Sequence, residues 1–305
     1  PESLKFLETI RDLSLFNQKY QVALEFVNRI EKIQGSTSEI LIQKSALYEE
    51  LKNPEKALNI MFEAFEKDSV NINVLHRLVT LLLDEEDNEK AILYNQRIID
   101  IFPDDPRGFI NHAVMALSGK KPEEAILALR PHVGRFSKDF TVQYLLGTAY
   151  YQSKDYDNAE IHLGFALTIF PESRNTKHNL ALIYDSTNKW GKSDVLYMEL
   201  IASDSTDAQA YNNYAYSLVE RGEDMEFALE LSKNSIRLSP KSAPYLDTLG
   251  WIYFKMDRID EAIKVIKESL SIDNGNPTIQ GHLDEIIKAK SNPEISKVIQ
   301  AEIKD

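Results

Sequence analysis

The stretch FTVQYLLGTAYYQSKDYDNAEIHLGFALTIFPES, residues 140–173, indicates the fold most clearly, because its pattern returns along the 305-residue chain. Ala159 stands at its twentieth position, and a small residue recurs there every 34 residues, with one interval of 35. A fixed period of this length indicates one supersecondary unit that is copied and stacked, since a single copy cannot bury its apolar face alone. The recurring residues are Ala23, Ala57, Ala91, Ala125, Ala159, Ser193, Ala228, Ala262 and Ser296.

Other positions of the 34-residue unit support this interpretation. Position 8 is also small in most units, as at Gly147, Ala181 and Gly250. Two antiparallel helices approach to about 8 to 10 Å only where side chains allow it, so small residues at positions 8 and 20 predict a helix pair. Large residues surround them: Leu146, Tyr150, Leu249 and Tyr253 stand at positions 7 and 11 of two units.

This pattern resembles the tetratricopeptide repeat family, most specifically in residues 140–274. The resemblance implies an all-α fold, a right-handed superhelical solenoid of antiparallel helix pairs. We expect one solenoid over residues 1–305, with about eight units and a closing helix pair at 277–305. The units are expected to start near residues 4, 38, 72, 106, 140, 174, 208 and 243.

Turn and breaker residues predict where the helices end. Asn53-Pro54-Glu55 and Asn292-Pro293-Glu294 each combine an N-cap residue, a proline at the first helical position and an acid in the first turn. Pro131 conflicts with the repeat, because it falls inside a second helix, where its ring clashes with the carbonyl of Leu127. We therefore expect that helix to kink or stop, with a bend near residues 127–139.

Composition excludes several classes of function. The formal charge of −13 argues against binding a phosphate backbone and favours a neutral or basic protein partner. The chain has no cysteine, and its densest apolar run, Leu78 to Leu83, is too short to cross a bilayer. The sequence begins at Pro1 instead of Met, so we expect a processed or excised form of a longer chain.

Catalytic and metal-binding patterns are not found in the sequence. It has no phosphate-cradling glycine loop, no zinc motif and no nucleophile elbow, and its six histidines are scattered over different repeats. The acidic run Asp84 to Asp87 lacks the glycine-centred spacing of a calcium loop, so we interpret it as a solvated helix end. Trp190 is interpreted as a core residue. We predict a protein that is not an enzyme and uses no cofactor.

In the family that the chain resembles, the first helices line the concave face, with positions 2, 5, 6, 9 and 12 pointing into it. This resemblance implies an aromatic and amide-rich groove for a peptide. The candidate groove residues are Tyr144, Thr148, Tyr151, His178, Asn179, Asn212, Asn213, Tyr216, Asp247, Trp251 and Phe254.

Two features of this groove leave alternatives open. Asn111, Asn179 and Asn213 share position 6, and they either hold the main chain of a peptide or satisfy local polar groups. Trp251 and Phe254 either stand in the groove or pack against the adjacent first helix.

The leading prediction is a non-enzymatic scaffold that binds an extended peptide or a helix of a partner in its concave groove. The alternative is an assembly element that self-associates, or holds a larger complex, through its ends or convex face. Apolar residues in Leu4 to Phe16 and at Ile295, Val298, Ile299 and Ile303 motivate it. The stretches YNNYAYSLVERG and YLDTLGWIYFK, starting at Tyr211 and Tyr245, resemble repeats of bacterial envelope members of the family. We therefore expect a periplasm-facing bacterial protein, with a cytoplasmic location as the alternative.

Overall fold

A computed structural model describes residues 3–291, and every regular element in that part of the chain is a helix. The chain divides into two compact units, one ending at Ala149 and the other beginning at Tyr150. The first unit contains α1 (Leu4–Phe16), α2 (Tyr20–Gln34), α3 (Ser38–Glu50), α4 (Pro54–Lys67), α5 (Ile72–Asp84), α6 (Asn88–Ile101), α7 (Arg107–Ser118) and α8 (Pro122–Leu129). Helix α9 (Phe140–Gln152) contains the boundary between the units.

The second unit continues with the same alternation of helices. It contains α10 (Tyr156–Ile169), α11 (Arg174–Ser186), α12 (Trp190–Ser203), α13 (Ala208–Glu220), α14 (Met225–Leu238), α15 (Ala243–Lys255), α16 (Ile259–Ile272) and α17 (Pro277–Ser291). The predicted all-α class is confirmed. The expected second helix of the closing pair, with Asn292-Pro293-Glu294 and the apolar residues from Ile295 to Ile303, lies outside the described residues.

The turn inside each helix pair has a conformation that also repeats. The residue at position 15, between the first and second helix, has a positive φ in all eight pairs. This left-handed conformation costs a residue that has a side chain about 1 to 2 kcal/mol. Only one of the eight residues is glycine, so the other seven adopt it at this cost. These residues are Gln18, Lys52, Glu86, Lys120, Lys154, Asn188, Gly222 and Asp257.

Small residues lie where the two helices of a pair meet. All of the position-20 residues from Ala23 to Ala262 are fully buried. The Ser45 hydroxyl donates to the carbonyl of Ala57 over 3.1 Å, which joins positions 8 and 20 directly. A Cβ added to Gly250 would lie 2.6 Å from the Ile266 side chain and 3.4 Å from the Ala262 carbonyl. Helix packing in the pair α15 and α16 therefore leaves no room for a side chain at position 8.

The fourth repeat, residues 106–139, departs from this regularity. Its second helix α8 ends at Leu129 after eight residues, and a short 3₁₀ helix follows at Arg130–His132. Proline has no N–H and its ring crowds the preceding turn, so Pro131 accounts for this early end. The expected bend of the chain near residues 127–139 remains a prediction.

Candidate partner-binding face

The first helices of the second unit form a continuous layer. Successive first helices α11, α13, α15 and α17 contact one another, in addition to the second helices between them. We call the surface formed by positions 5, 6, 9, 12 and 13 of these helices the first-helix face. It carries eight of the eleven candidate groove residues, all on α11, α13 and α15, while the other three lie on α9.

A buried charge cluster joins α11 to the start of α13. His178 Nε2 lies 2.9 Å from Asp207 Oδ2, and the Arg174 guanidinium contacts both Asp207 and Asp204. Burial raises the pKa of Asp207, but hydrogen bonds from Arg174, the Ala210 N–H and His178 outweigh it and the pKa is lowered. Asp207 therefore stays ionised while it caps α13 and fixes His178.

Two polar atoms at position 5 have no hydrogen-bond partner among the described residues. They are Nδ1 of His178 and Oδ1 of Asn212, both buried. An unsatisfied buried polar atom costs about 1 to 3 kcal/mol, so this part of the face is not optimised for stability.

Trp251 lies inside the helix layer. Its Nε1 donates to Glu220 Oε1 on α13 over 2.8 Å, and its ring stacks on His282 of α17 at 4.3 Å. Only 6% of Trp251 and 3% of Phe254 is exposed. Of the two alternatives, the structure thus shows packing against the adjacent first helix, and these rings offer little area to a partner.

Asp247 is also held within this layer. Its carboxylate lies 2.9 Å from His282 Nδ1, and it is buried. Together with the contact between Glu220 and Trp251, this pair fixes the positions of α13, α15 and α17 relative to one another.

Tyr216 is the most exposed of the candidate residues on α13, with 39% of its surface accessible. Burial of its hydroxyl end and the carboxylates of Glu220 and Asp247 raise the pKa of Tyr216 to about 12. Its hydroxyl is therefore neutral at physiological pH and can both donate and accept. Asn213 lies one turn earlier on the same helix and is half-buried, as is Asn179 at the equivalent position of α11.

Tyr151 is half-buried and contacts Tyr156, with ring centroids 6.1 Å apart. Burial, Tyr156 and Asp185 raise its pKa. Tyr144 and Thr148 belong to the first unit, where both are half-buried and Tyr144 stacks on Phe140 at 5.8 Å.

Of the two alternatives for the asparagines at position 6, Asn111 shows the second, because it satisfies local polar groups. It is buried in the first unit, where its amide donates to Asn95 Oδ1 over 3.0 Å and lies 3.3 Å from His76 Nδ1. Trp190, interpreted as core from the sequence, is half-buried, and the Arg221 guanidinium lies 5.7 Å from the centre of its ring.

The repeat pattern does not indicate two of the carboxylates that organise the face, Asp185 and Glu220. Asp185 accepts from Tyr197 over 2.7 Å and from Ser217 over 2.8 Å, while Glu220 holds Trp251. The pairs Asp185–Ser217 and Glu220–Trp251 join residues 32 and 31 positions apart, which is about one repeat. A search for complementary polar residues one repeat apart could have found them.

Within residues 3–291, no group of three or more histidine or acidic side chains could hold a metal ion. In the same part of the chain, no helix has both the length and the apolar content needed to cross a bilayer.

The fold and the first-helix face define a helical-repeat protein with a polar surface built from successive first helices. The tetratricopeptide repeat model matches residues 140–172 and 243–276. The chain thus contains two stretches that match the tetratricopeptide repeat, within an all-α fold that it shares with solved tetratricopeptide-repeat proteins.

Similar proteins cover different parts of the chain. The type IV pilus assembly protein PilF of Pseudomonas aeruginosa is 28% identical over 137 residues, which is 44% of this chain and 54% of PilF. The human protein O-mannosyl-transferase TMTC3 is 23% identical over 279 residues, which is 88% of this chain but 29% of TMTC3. The chain thus spans about half of the first relative and less than a third of the second.

Solved structures share the fold at low identity. A tetratricopeptide repeat protein from Parabacteroides merdae has a TM-score of 0.64 at 17% identity, covering 82% of this chain and 98% of that one. The Cut9–Hcn1 structure of the APC/C has a TM-score of 0.66 at 14% identity, covering 92% of this chain and 55% of that one. The PilF structure has a TM-score of 0.57 at 14% identity, covering 69% of this chain and 96% of that one.

Proposed function

We propose that the protein is an interaction scaffold whose first-helix face binds an extended peptide or a helix of a partner protein. Tetratricopeptide-repeat proteins are generally non-enzymatic scaffolds for other proteins, which supports the assignment as an interaction scaffold. The proposed binding groove rests on the geometry of the second unit.

The observation that carries the proposal is a rigid face with exposed polar groups. Pairs between neighbouring repeats, such as Glu220 with Trp251 and Asp247 with His282, hold the first helices together. On top of them Asn179, Asn213 and Tyr216 remain partly exposed. Amide and phenol groups can pair with both the N–H and the C=O of an extended chain, and a fixed face loses little entropy on binding.

The charge of this face favours a neutral or basic partner. Asp185, Glu220 and Asp247 contribute carboxylates at positions 12, 13 and 5, and the whole chain carries −13. Opposite charge on a partner accelerates encounter and excludes acidic competitors.

The test is selection of binders from a random twelve-residue peptide library displayed on phage, with the whole chain as bait. The double variant Tyr216→Ala with Asn213→Ala should weaken the selected peptides about 30-fold, because a hot spot contributes about 2 kcal/mol or more. Trp251 is unsuitable for this purpose, since its loss would disturb the packing of α13 on α17.

The matched control is Ile161→Ser with Phe165→Ser, two exposed residues on the second helix α10. Binding should be unchanged in this control, and circular dichroism should show full helicity in both variants. If all selected peptides bind the Tyr216 and Asn213 variant as well as the wild type, the first-helix face is not the binding surface.

A second candidate function is assembly through the outer side of the second helices or the N-terminal end. It is favoured by large exposed apolar residues on α10 and α12, namely Ile161, Phe165, Val195 and Met198, and by Phe16 at the end of α1. Sedimentation at increasing concentration tests it: self-association that Phe165→Ser or Phe16→Ser abolishes supports assembly, and a monomer at all concentrations contradicts it.

The likeness to PilF supports a place in a bacterial envelope assembly. The stretches that begin at Tyr211 and Tyr245 add to this proposal, since they resemble repeats of envelope proteins. Cell fractionation of the full-length protein in its own host tests it, and recovery in the cytoplasmic fraction would contradict it.

A further inference from the structure

A cavity of about 720 Å³ lies among helices α5 to α8 of the first unit, far along the chain from the candidate groove residues of the second unit. Its volume falls in the range of about 300 to 1,000 Å³ that is common for ligand sites. Residues of all four helices line it, among them Leu83, Ile92, Met115 and Ala116.

The cavity has a cause in the repeat itself. At position 11 of the fourth repeat stands Ala116, where six other repeats carry a large side chain and the first carries Ser14. Asn95 likewise occupies position 24, which is usually a large apolar residue. The missing volume leaves a space that neighbouring side chains do not fill. The large residues at position 11 are Tyr48, Leu82, Tyr150, Tyr184, Leu218 and Tyr253.

The polar groups at the bottom of the cavity are already paired. The Asn95 amide donates to the Gly108 carbonyl over 2.9 Å, and its oxygen accepts from Asn111 over 3.0 Å. Glu124 is paired with Lys121 at 2.9 Å. The lining that remains for a ligand combines apolar side chains with polar ones such as Thr80 and His112, and the exposed carboxylate of Asp84 also lines it.

The apolar surface continues outside the cavity. Ile92 in the wall is 58% exposed, and next to it on α6 lies Leu93, which is 62% exposed. Asp84 lines the cavity, and the acidic residues Glu85, Glu86 and Asp87 follow it directly in the chain. A small molecule would fill the cavity without covering Leu93, whereas a protein segment could cover both the cavity and this leucine.

We propose that this cavity is a second docking site, which takes a segment of a partner protein that inserts one aromatic or large aliphatic side chain beside a lysine or arginine. The inserted side chain fills the space left by Ala116. The neighbouring cation faces Asp84 and the acidic turn that follows it, where opposite charge steers the encounter.

The test uses the same random phage library with the whole chain as bait. The filling variant Ala116→Tyr restores the side chain of other repeats and serves for counter-selection, and Ala202→Tyr on the exposed side of α12 is the matched control. We expect the wild type to enrich peptides that pair an aromatic residue or leucine with lysine or arginine. Each such peptide should bind Ala116→Tyr at least tenfold more weakly and Ala202→Tyr within twofold of the wild type.

Two further variants keep the test decisive if Ala116→Tyr folds poorly. Ile92→Glu changes an exposed wall residue and should also weaken binding at least tenfold, while Asp84→Asn should reduce the salt dependence of binding. The first-helix variant Tyr216→Ala with Asn213→Ala should bind these peptides normally, which separates this site from the proposed groove.

Three results would overturn the proposal. In the first, every selected peptide still binds Ala116→Tyr or Ile92→Glu. In the second, the peptides enriched at this site are acidic. The third is binding of free indole or tryptamine as tightly as the best peptide, which would make the cavity a small-molecule site.

Discussion

Repeats 4 and 8 follow the same 34-residue pattern but close their cores differently. In repeat 8, Leu249 and Tyr253 stand at positions 7 and 11, and a Cβ added to Gly250 would collide with the Ile266 side chain. In repeat 4, Ala116 and His112 stand at the equivalent positions, and a cavity opens beside them. The helix positions are thus set by the repeat, while the volumes of a few side chains decide whether a repeat is closed or contains a cavity.

The largest expected effect comes from overfilling repeat 8. Gly250→Val should lower the free energy of unfolding by about 1 to 3 kcal/mol, because its side chain collides with Ile266. Urea unfolding measures this. The matched control is Gly281→Ala on α17, where a Cβ meets nothing within 4 Å. It should stabilise the chain by about 0.5 to 1 kcal/mol, because alanine is the better helix former.

Filling the cavity of repeat 4 should increase the stability of the chain, in contrast to overfilling repeat 8. Ala116→Leu should raise the free energy of unfolding by about 0.5 to 2 kcal/mol, the usual gain from filling a cavity. Urea unfolding under the same conditions measures it. A loss as large as that of Gly250→Val would show that repeat 4 is as tightly packed as repeat 8.

The polar core beside repeat 4 predicts a pH dependence. Burial and the nearby Arg107 lower the pKa of His76, which contacts Asn111. The stabilising effect of the neutral ring is complete above the unfolded pKa of about 6.5 and is lost as the pH falls through the lower folded pKa. Stability should therefore decrease below pH 6.5, by at most about 1.4 kcal/mol per pH unit for this one proton.

The variant His76→Gln should remove this part of the pH dependence. Urea unfolding of both proteins between pH 7.5 and 5 provides the comparison. An identical slope in the two proteins would show that His76 is not the group that titrates.

The smallest effect concerns the turn of repeat 4. Lys120 has a φ of 56°, which glycine adopts without strain. The relief of this strain is partly offset by the larger chain entropy that glycine loses on folding. Lys120→Gly should therefore raise the free energy of unfolding by less than about 1 kcal/mol. The neighbouring Lys121→Gly should destabilise instead, since Lys121 has a φ of −120° and an ion pair with Glu124. Thermal melting of the two variants checks the difference in sign.

Much of the fold could be predicted from local patterns. The small residues at positions 8 and 20, and caps such as Asn53 before Pro54, act within one helix pair, so the sequence indicates them directly. Pro131 likewise marks the end of α8 through a steric effect on its own helix.

The candidate face was harder to predict, because its contacts join neighbouring repeats. The burial of Trp251 depends on Glu220 in one repeat and His282 in the next, and periodicity alone does not indicate either. The cavity depends on the summed volume of side chains from four helices. Ala116 at a position of tyrosine and leucine was nevertheless a visible signal.

Hydrogen–deuterium exchange of the whole chain, with and without a peptide selected from the library, shows directly whether the first-helix face binds that peptide. We expect slower exchange in the first helices α11, α13 and α15 for peptides that require Tyr216, with α10, α12 and α14 unchanged. Slower exchange confined to the second helices α10, α12 and α14 would contradict it.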